Sequence, residues 1–323
     1  MALIQDAHSV LAPASPQAAA IARLAEFFFA LGGVVWLLVL GFLAYSLLRP
    51  RRLGEQDADA RISRRQLAGV GGALALSTVL LLVLGVIDYG TAKRVELGTS
   101  AAKQSDTLQV GLIGHQWWWE VQYRSPHSGQ AFTTANEIHI PVGRPVAVTL
   151  DSRDVIHSFW APNLRGKTDL IPGYTSRLMI QADTPGIFRA PCAEYCGAQH
   201  AKMTLLVIAQ PVGDFTAWYA NEASNATAPA DSATARGREV FLTAACPFCH
   251  TIRGTESSGT VAPDLTHLAS RRMLAAGAIP NRRGYLGGWI VDPQGIKPGN
   301  QMPPNVLPAK DLNALLDYLV TLR

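Results

Sequence analysis

The chain has 323 residues, of which 48% are hydrophobic and only 16% charged, with a formal charge of +4. That length suits about two domains at ~150 residues each, with room for membrane spans, and so small a charge does not point to nucleic acid as a partner. The basic excess lies late in the chain: Lys plus Arg against Asp plus Glu is 7 to 6 over residues 1–90, 11 to 11 over 91–225 and 10 to 7 over 226–323.

Residues 1–23 are an N-terminal segment, and the stretch to about Pro16 is open to reading as a cleaved leader. Leu24–Leu48 and Leu67–Ile87 are almost wholly apolar, and each reaches the ~20 residues that cross a bilayer core. A signal peptide has a basic start and a shorter apolar stretch, whereas Arg23 is the only basic residue before the first run. Residues 24–90 are therefore predicted to form a transmembrane hairpin. The loop inside it carries Arg49, Arg51, Arg52, Arg61, Arg64 and Arg65, and short arginine-rich loops stay in the cytoplasm. Both termini then face the periplasm of a bacterial inner membrane, an oxidising compartment in which free thiols are at risk.

Residues 91–220 change texture. The short runs Leu108–Ile113, Glu120–Tyr123, Glu137–Ile140, Pro145–Leu150, Ser176–Ala182 and Met203–Ala209 are separated by Pro-Gly turns, which predicts an all-β sandwich or barrel. Residues 221–234 are small, polar and Pro-containing, a tether by composition. In residues 235–323, Ala235–Ala244 and Ala309–Leu322 read as amphipathic helices flanking a Gly/Pro-rich middle, a small all-α domain.

The four cysteines fall in two close pairs, each with histidine and methionine nearby. In Cys192-Ala-Glu194-Tyr-Cys196-Gly-Ala-Gln-His200-Ala-Lys-Met203, two thiols, an imidazole and a thioether form a soft donor set. Such sets select copper, zinc or iron–sulfur. A blue copper site needs one Cys, two His and a weak Met. The second cysteine permits two coppers bridged by both sulfurs once another histidine arrives, and Asp154-Val-Ile-His157 offers one at a strand end. A Cys-x3-Cys pair alone reads more simply as a disulfide or a zinc pair, and His157 alone as a solvent-facing polar residue near a strand end.

That loop resembles the CuA motif of cytochrome c oxidase subunit II. His115-Gln-Trp117-Trp-Trp119-Glu and Lys167-Thr-Asp169-Leu-Ile-Pro172-Gly173 are similar to two further segments of the same family, and the likeness runs from the first span to about Tyr219. The resemblance implies a cupredoxin-like domain behind the hairpin. It implies side-chain copper ligands His157, Cys192, Cys196, His200 and Met203, with Glu194 adding its main-chain carbonyl. The Glu194 carboxylate would face a magnesium or manganese ion shared with subunit I, and Trp117 would be the contact where electrons arrive from a cytochrome. Three successive tryptophans are otherwise core residues or interfacial anchors. Where mitochondrial-type relatives begin the second span with a glutamate near a proton entrance, this chain reads Ser63-Arg-Arg-Gln66. A proton path would then use Glu55, Asp57 or Asp59, or the partner subunit.

Cys246-Pro-Phe-Cys249-His250 is a c-type haem attachment motif. Met302, in the stiff Lys297-Pro-Gly-Asn-Gln-Met-Pro-Pro loop, is favoured as the sixth ligand over Met273, whose Arg-Arg-Met-Leu-Ala context reads as a packed helix. Residues 235–323 resemble a class I monohaem cytochrome c. The resemblances together imply an electron-input subunit of a respiratory haem–copper oxidase. Its partners would be subunit I, subunit III, membrane lipid, and cytochrome c or another respiratory donor. Quinol oxidase subunits lack the copper ligands, nitrous oxide reductase lacks the spans, and a copper-delivery protein gives no reason for a covalent haem.

Overall fold

The structure is a computed structural model that describes residues 8–49, 64–100, 107–125 and 129–323. Arg51, Arg52 and Arg61, with Glu55, Asp57 and Asp59, lie outside the described residues. The chain divides into two units, residues 19–97 and the remainder.

The first unit is built on two long helices, α1 (Pro16–Leu48) and α2 (Arg64–Ser100). Pro16 opens α1 at a position where its missing N–H would have no partner anyway. Side chains such as Phe29, Trp36, Leu38, Leu74, Leu81 and Val86 are exposed along both helices. A helix satisfies its own backbone, so exposed apolar side chains are tolerated in lipid and costly in water. α1 starts before its apolar run, through an alanine-rich turn, and ends with it at Leu48, whereas α2 extends beyond its run at both ends.

The second unit begins with a two-sheet β sandwich. Strands β1 (Leu108–His115), β2 (Trp118–Arg124), β3 (Ala131–Ala135), β5 (Val146–Ser152) and β8 (Ser176–Ile180) form one sheet in the order β3-β2-β1-β5-β8. Strands β4 (Glu137–Pro141), β10 (Thr204–Gln210) and β9 (Gly186–Pro191) form the other, and β6 (His157–Phe159) pairs with β7 (Thr168–Leu170) at one end. β1 runs parallel to β5, and β4 runs parallel to β10. Inward side chains including Leu112, Trp119, Val121, Ile138, Leu150 and Val207 close the core. The six predicted runs are β1, β2, β4, β5, β8 and β10; β3, β6, β7 and β9 were not foreseen. The sandwich also receives residues 9–15, with the Ala14 amide on the Asn163 carbonyl at 2.7 Å and the Asp183 amide on the Ala14 carbonyl at 2.8 Å.

Helix α3 (Val212–Glu222) follows β10. Helix α4 (Ser232–Thr243) starts from a capping box in which Asp231 accepts from the Thr234 amide. The non-helical connection is thus residues 223–231, shorter than the predicted 221–234 tether. It is not slack: the Ala226 amide donates to the Arg253 carbonyl at 3.0 Å, and Arg253 donates to the Glu222 carbonyl. The α domain adds the short ribbon β11 (Met273–Leu274) and β12 (Ile279–Pro280), then α5 (Arg283–Val291), α6 (Pro293–Ile296) and α7 (Ala309–Leu319). α4 and α7 cross over Phe241, Leu315 and Tyr318.

The two domains share an interface. β10 is apolar on both faces, and its burial has no alternation. Leu205 and Val207 join the sandwich core, while Leu206 and Ile208, with Ile187, pack against Met273. Met273 therefore lies on a strand, where a helix was predicted, because pairing with Pro280 and apolar cover from β10 outweigh its local helical pattern. Polar links flank the contact: the Arg272 amide meets Glu137 Oε1 at 2.7 Å, and the Thr204 amide meets the Ala276 carbonyl at 2.8 Å.

Candidate functional site

Two elements bring the soft donors together at one end of the sandwich. β6 presents His157, wholly buried, and the loop between β9 and β10 carries Cys192 through Met203. The loop is held to the sandwich by its own backbone. The Cys192 amide donates to the Met203 carbonyl at 2.8 Å, and the Ala193 amide donates to the Ser158 carbonyl at 3.0 Å.

Cys192 Sγ and Cys196 Sγ are 3.8 Å apart, far beyond a disulfide bond length of ~2.05 Å, and both cysteines are free. His157 Nδ1 stands 3.8 Å from Cys192 Sγ, while His200 Nδ1 and Met203 Sδ stand 3.6 and 3.8 Å from Cys196 Sγ. The Glu194 carbonyl oxygen is 3.3 Å from Cys192 Sγ. The other four predicted donors converge on the buried pair of cysteine sulfurs, and such a set favours a soft metal. The hydrogen bond between the two sulfurs is the main cause that lowers the Cys192 thiol well below its ordinary value, and it pushes Cys196 up.

Residues around these donors fix their orientation. Asp154 Oδ1 accepts from His157 Nε2 at 2.8 Å, and Asp154 Oδ2 accepts from the Gln116 amide at 2.7 Å. That tautomer leaves Nδ1 with its lone pair toward the sulfurs. Burial opposes a charged His157, yet the hydrogen bonds with Asp154 and Cys192 outweigh it and raise its proton affinity. Gln116 Nε2 and Trp117 Nε1 both donate to the Cys196 carbonyl, at 2.8 and 2.9 Å. The Glu194 carboxylate points outward, 2.9 Å from Lys167 Nζ.

In the α domain a short turn after α4 carries Cys246, Cys249 and His250. The His250 amide returns to the Cys246 carbonyl at 3.0 Å, which turns all three side chains toward one cavity. Gly259 backs this turn so closely that a Cβ there would lie 2.6 Å from the Cys249 carbonyl carbon. His250 Nδ1 donates to the Pro263 carbonyl at 2.7 Å, which leaves Nε2 free to coordinate. Burial lowers its proton affinity and favours that neutral form. The cavity walls are apolar, with Phe241, Leu268, Leu286 and Ile290 among them, and both Met302 and Met273 line it. An apolar slot with paired thiols, a neutral imidazole and a thioether fits a covalent haem. Met302 is held by its own loop, its amide donating to Asn300 Oδ1 at 2.8 Å and its carbonyl accepting from Gln294 Nε2 at 3.0 Å. Gln116, Trp117 and Trp118 of the β domain line the same cavity.

Asp154, Gln116, Pro263 and Lys297 were not singled out as positioning groups from sequence. Asp154 had a usable signal, a carboxylate three residues before a ligand-type histidine; the others make their contacts across the fold.

The family "Cytochrome C oxidase subunit II, periplasmic domain" matches residues 125–210, and the family "Cytochrome c" matches residues 234–323. The cytochrome c oxidase subunit 2 of Alkalihalophilus pseudofirmus is 36% identical over 249 residues, covering 76% of this chain and 70% of that protein. The chain belongs to the cytochrome c oxidase subunit 2 family. The Bacillus subtilis protein of the same name is 28% identical over 299 residues, covering 88% of this chain and 83% of that one. Among solved structures, the periplasmic domain of cytochrome oxidase subunit II of Bradyrhizobium japonicum has 28% identity and a TM-score of 0.33, covering 36% of this chain and 92% of that chain.

As a cytochrome c oxidase subunit 2, the chain is the electron-input subunit of a haem–copper oxidase, an oxidoreductase complex, and its partner is the catalytic subunit I. The first domain implies CuA copper and the second haem c. The two long apolar helices suit a membrane protein with periplasmic domains.

Proposed function

We propose that His157, Cys192, the Glu194 carbonyl, Cys196, His200 and Met203 would hold the copper pair, and that Cys246 and Cys249 would anchor a haem whose iron His250 and Met302 would ligate. The observation that carries this reading is the convergence of two imidazoles, a thioether and a carbonyl on two unbonded sulfurs, 3.8 Å apart. Bound there, the two groups supply reversible one-electron chemistry. The protein's own part is to hold both sites rigid: Asp154 fixes the His157 ring, the Pro263 carbonyl fixes His250, and buried Met203 keeps its thioether on Cys196. Ligands held in one geometry by supporting hydrogen bonds bind metal more tightly.

The finer assignments rest on the same frame. The domains run as an N-terminal segment (1–23), a hairpin in lipid (24–90), the copper domain (91–220), a connection (221–234, non-helical over 223–231) and the haem domain (235–323). Both redox domains face the periplasm of a bacterial inner membrane, and subunit III joins subunit I as a partner. Cytochrome c or another respiratory donor delivers electrons to the haem domain. A magnesium or manganese ion binds the Glu194 carboxylate against subunit I, competing there with Lys167.

Metal and haem analysis of the purified full chain tests the core of this reading, together with electron paramagnetic resonance. A copper pair and one haem c per chain are expected, with a hyperfine pattern from one unpaired spin shared equally by two copper nuclei. A single copper per chain, or a spin localised on one nucleus, overturns the ligand set.

A further inference from the structure

Lys297 is a lysine only 2% exposed. It sits in the loop between α6 and Met302, and its side chain bridges the two domains. Nζ donates to the main-chain carbonyl of Trp117 at 2.6 Å and to that of Ala275 at 3.1 Å. Burying an ammonium without a carboxylate partner is expensive, and burial lowers its proton affinity to about 7. The cost is offset by two main-chain carbonyls, one in each domain.

The contact is one of three hydrogen bonds that tie residues 296–298 to the copper domain. Lys202 Nζ, from the copper loop, donates to the Ile296 carbonyl at 2.6 Å, and Gln199 Nε2 donates to the Pro298 carbonyl at 2.6 Å. A Cβ on Gly299 would reach van der Waals contact with Trp117 Cη2 at 3.8 Å, so the loop passes beside the indole. The other edge of that indole donates to the Cys196 carbonyl. A continuous path therefore runs from a copper-domain sulfur residue, through Trp117, across the Lys297 contact and along five residues of chain to Met302.

We propose that Lys297 is a positioning residue for electron transfer between the two redox domains, its ammonium locking the loop that leads to Met302 onto Trp117. The inference rests on the ligand assignments proposed above. The step moves one electron from reduced haem to the oxidised copper pair, with no bond made or broken. Its rate accordingly depends on separation and on the fraction of time the domains are docked.

The test uses the whole oxidase carrying Lys297→Met, which keeps the stem and removes the charge. Copper content, haem content and both midpoint potentials should stay at wild-type values. After photoreduction of the haem, its reoxidation by copper should slow about tenfold, the population effect of losing a charge-assisted hydrogen bond. The slowed rate should become sensitive to solvent viscosity, as docking becomes limiting. Hydrogen exchange, which needs no turnover, should rise in residues 296–302 and 116–118 and nowhere else in the haem domain. An unchanged transfer rate with both sites filled overturns the proposal, as does a slower rate explained by a shifted potential. If Lys297→Met does not accumulate, exposed Lys202→Met decides: a smaller slowing with the same viscosity dependence supports the lock, and a wild-type rate overturns it. Wild-type protein lacking copper or haem would instead sink the ligand assignments.

Discussion

Trp117 Nε1 donates to the Cys196 carbonyl at 2.9 Å while the same ring lines the cavity that holds Cys246, Cys249 and His250. One indole thus touches the copper loop and the haem pocket at once. From sequence, Trp117 was expected to meet an incoming cytochrome; here the cytochrome on its face is the fused domain. Trp117→Phe keeps the aromatic plane and removes the N–H. The Cys196 carbonyl retains its bond from Gln116 Nε2 at 2.8 Å, so the stability loss should be about 1 kcal/mol. Copper should be retained, and haem-to-copper transfer should slow. Flash kinetics on the loaded variant, with copper quantified in parallel, checks both halves.

Met302 and Met273 line the same cavity but do different work. Met273 is engaged by Ile187, Leu206 and Ile208 across the domain interface. Met302 hangs on a loop braced by Asn300 and Gln294. Met302→Leu should abolish the sulfur-to-iron charge-transfer band and lower the haem potential, since an axial thioether raises it. Met273→Leu should leave the spectrum unchanged and cost less than about 1.5 kcal/mol, as volume-conserving apolar swaps do. Optical titration of the two variants side by side separates the roles.

What was readable in advance is what is local in sequence. The cysteine, histidine and methionine of the copper loop lie within twelve residues, the haem motif within five, and each apolar span is one uninterrupted run. Strands with a clear apolar run were readable for the same reason. Helix α5 was not, because Arg-Gly-Tyr-Leu-Gly-Gly-Trp-Ile-Val has three glycines that disfavour a helix. Its Leu286 and Ile290 nevertheless bury against the α7 side of the core, and tertiary packing decides. Lys297 and Gln199 escaped notice because their partners lie 180 and 99 residues away. The docked connection likewise depends on Arg253 reaching back to Glu222.

Glu222, 4% exposed at the end of α3, makes stability depend on pH. Burial raises its proton affinity, and the opposing pull of Arg271, His267, His139 and Arg253 does not cancel that. A carboxyl whose folded value lies above its unfolded value binds more protons folded than unfolded between the two. Stability contributed there is lost as pH rises from about 4.3 through the folded value. Glu222→Gln mimics the protonated form, so it should flatten that decline and melt at a higher temperature than wild type at neutral pH. Both proteins should melt alike in acid. Thermal unfolding across pH, on protein with matched haem and copper content, measures the difference.

Gly237 marks where α4 and α7 come closest. A Cβ there would lie 2.0 Å from the Ala314 carbonyl oxygen and 2.6 Å from Tyr318 Cβ. Backbone cannot yield as a flexible side chain would, so Gly237→Ala must push the two helices apart. The surrounding Phe241, Leu315 and Tyr318 are fully buried and tightly packed, and overpacking such a core costs about 1–3 kcal/mol. Helix propensity works the other way, since alanine in a helix is favoured over glycine by about 1 kcal/mol. The steric cost should win, because the clash is with main chain on one side and a buried aromatic on the other. The variant should therefore lose stability in the haem domain while the copper signal persists. Denaturant unfolding followed separately at the haem absorption and at the copper resonance reads this directly; an unshifted haem transition would mean that the helices can part without loss.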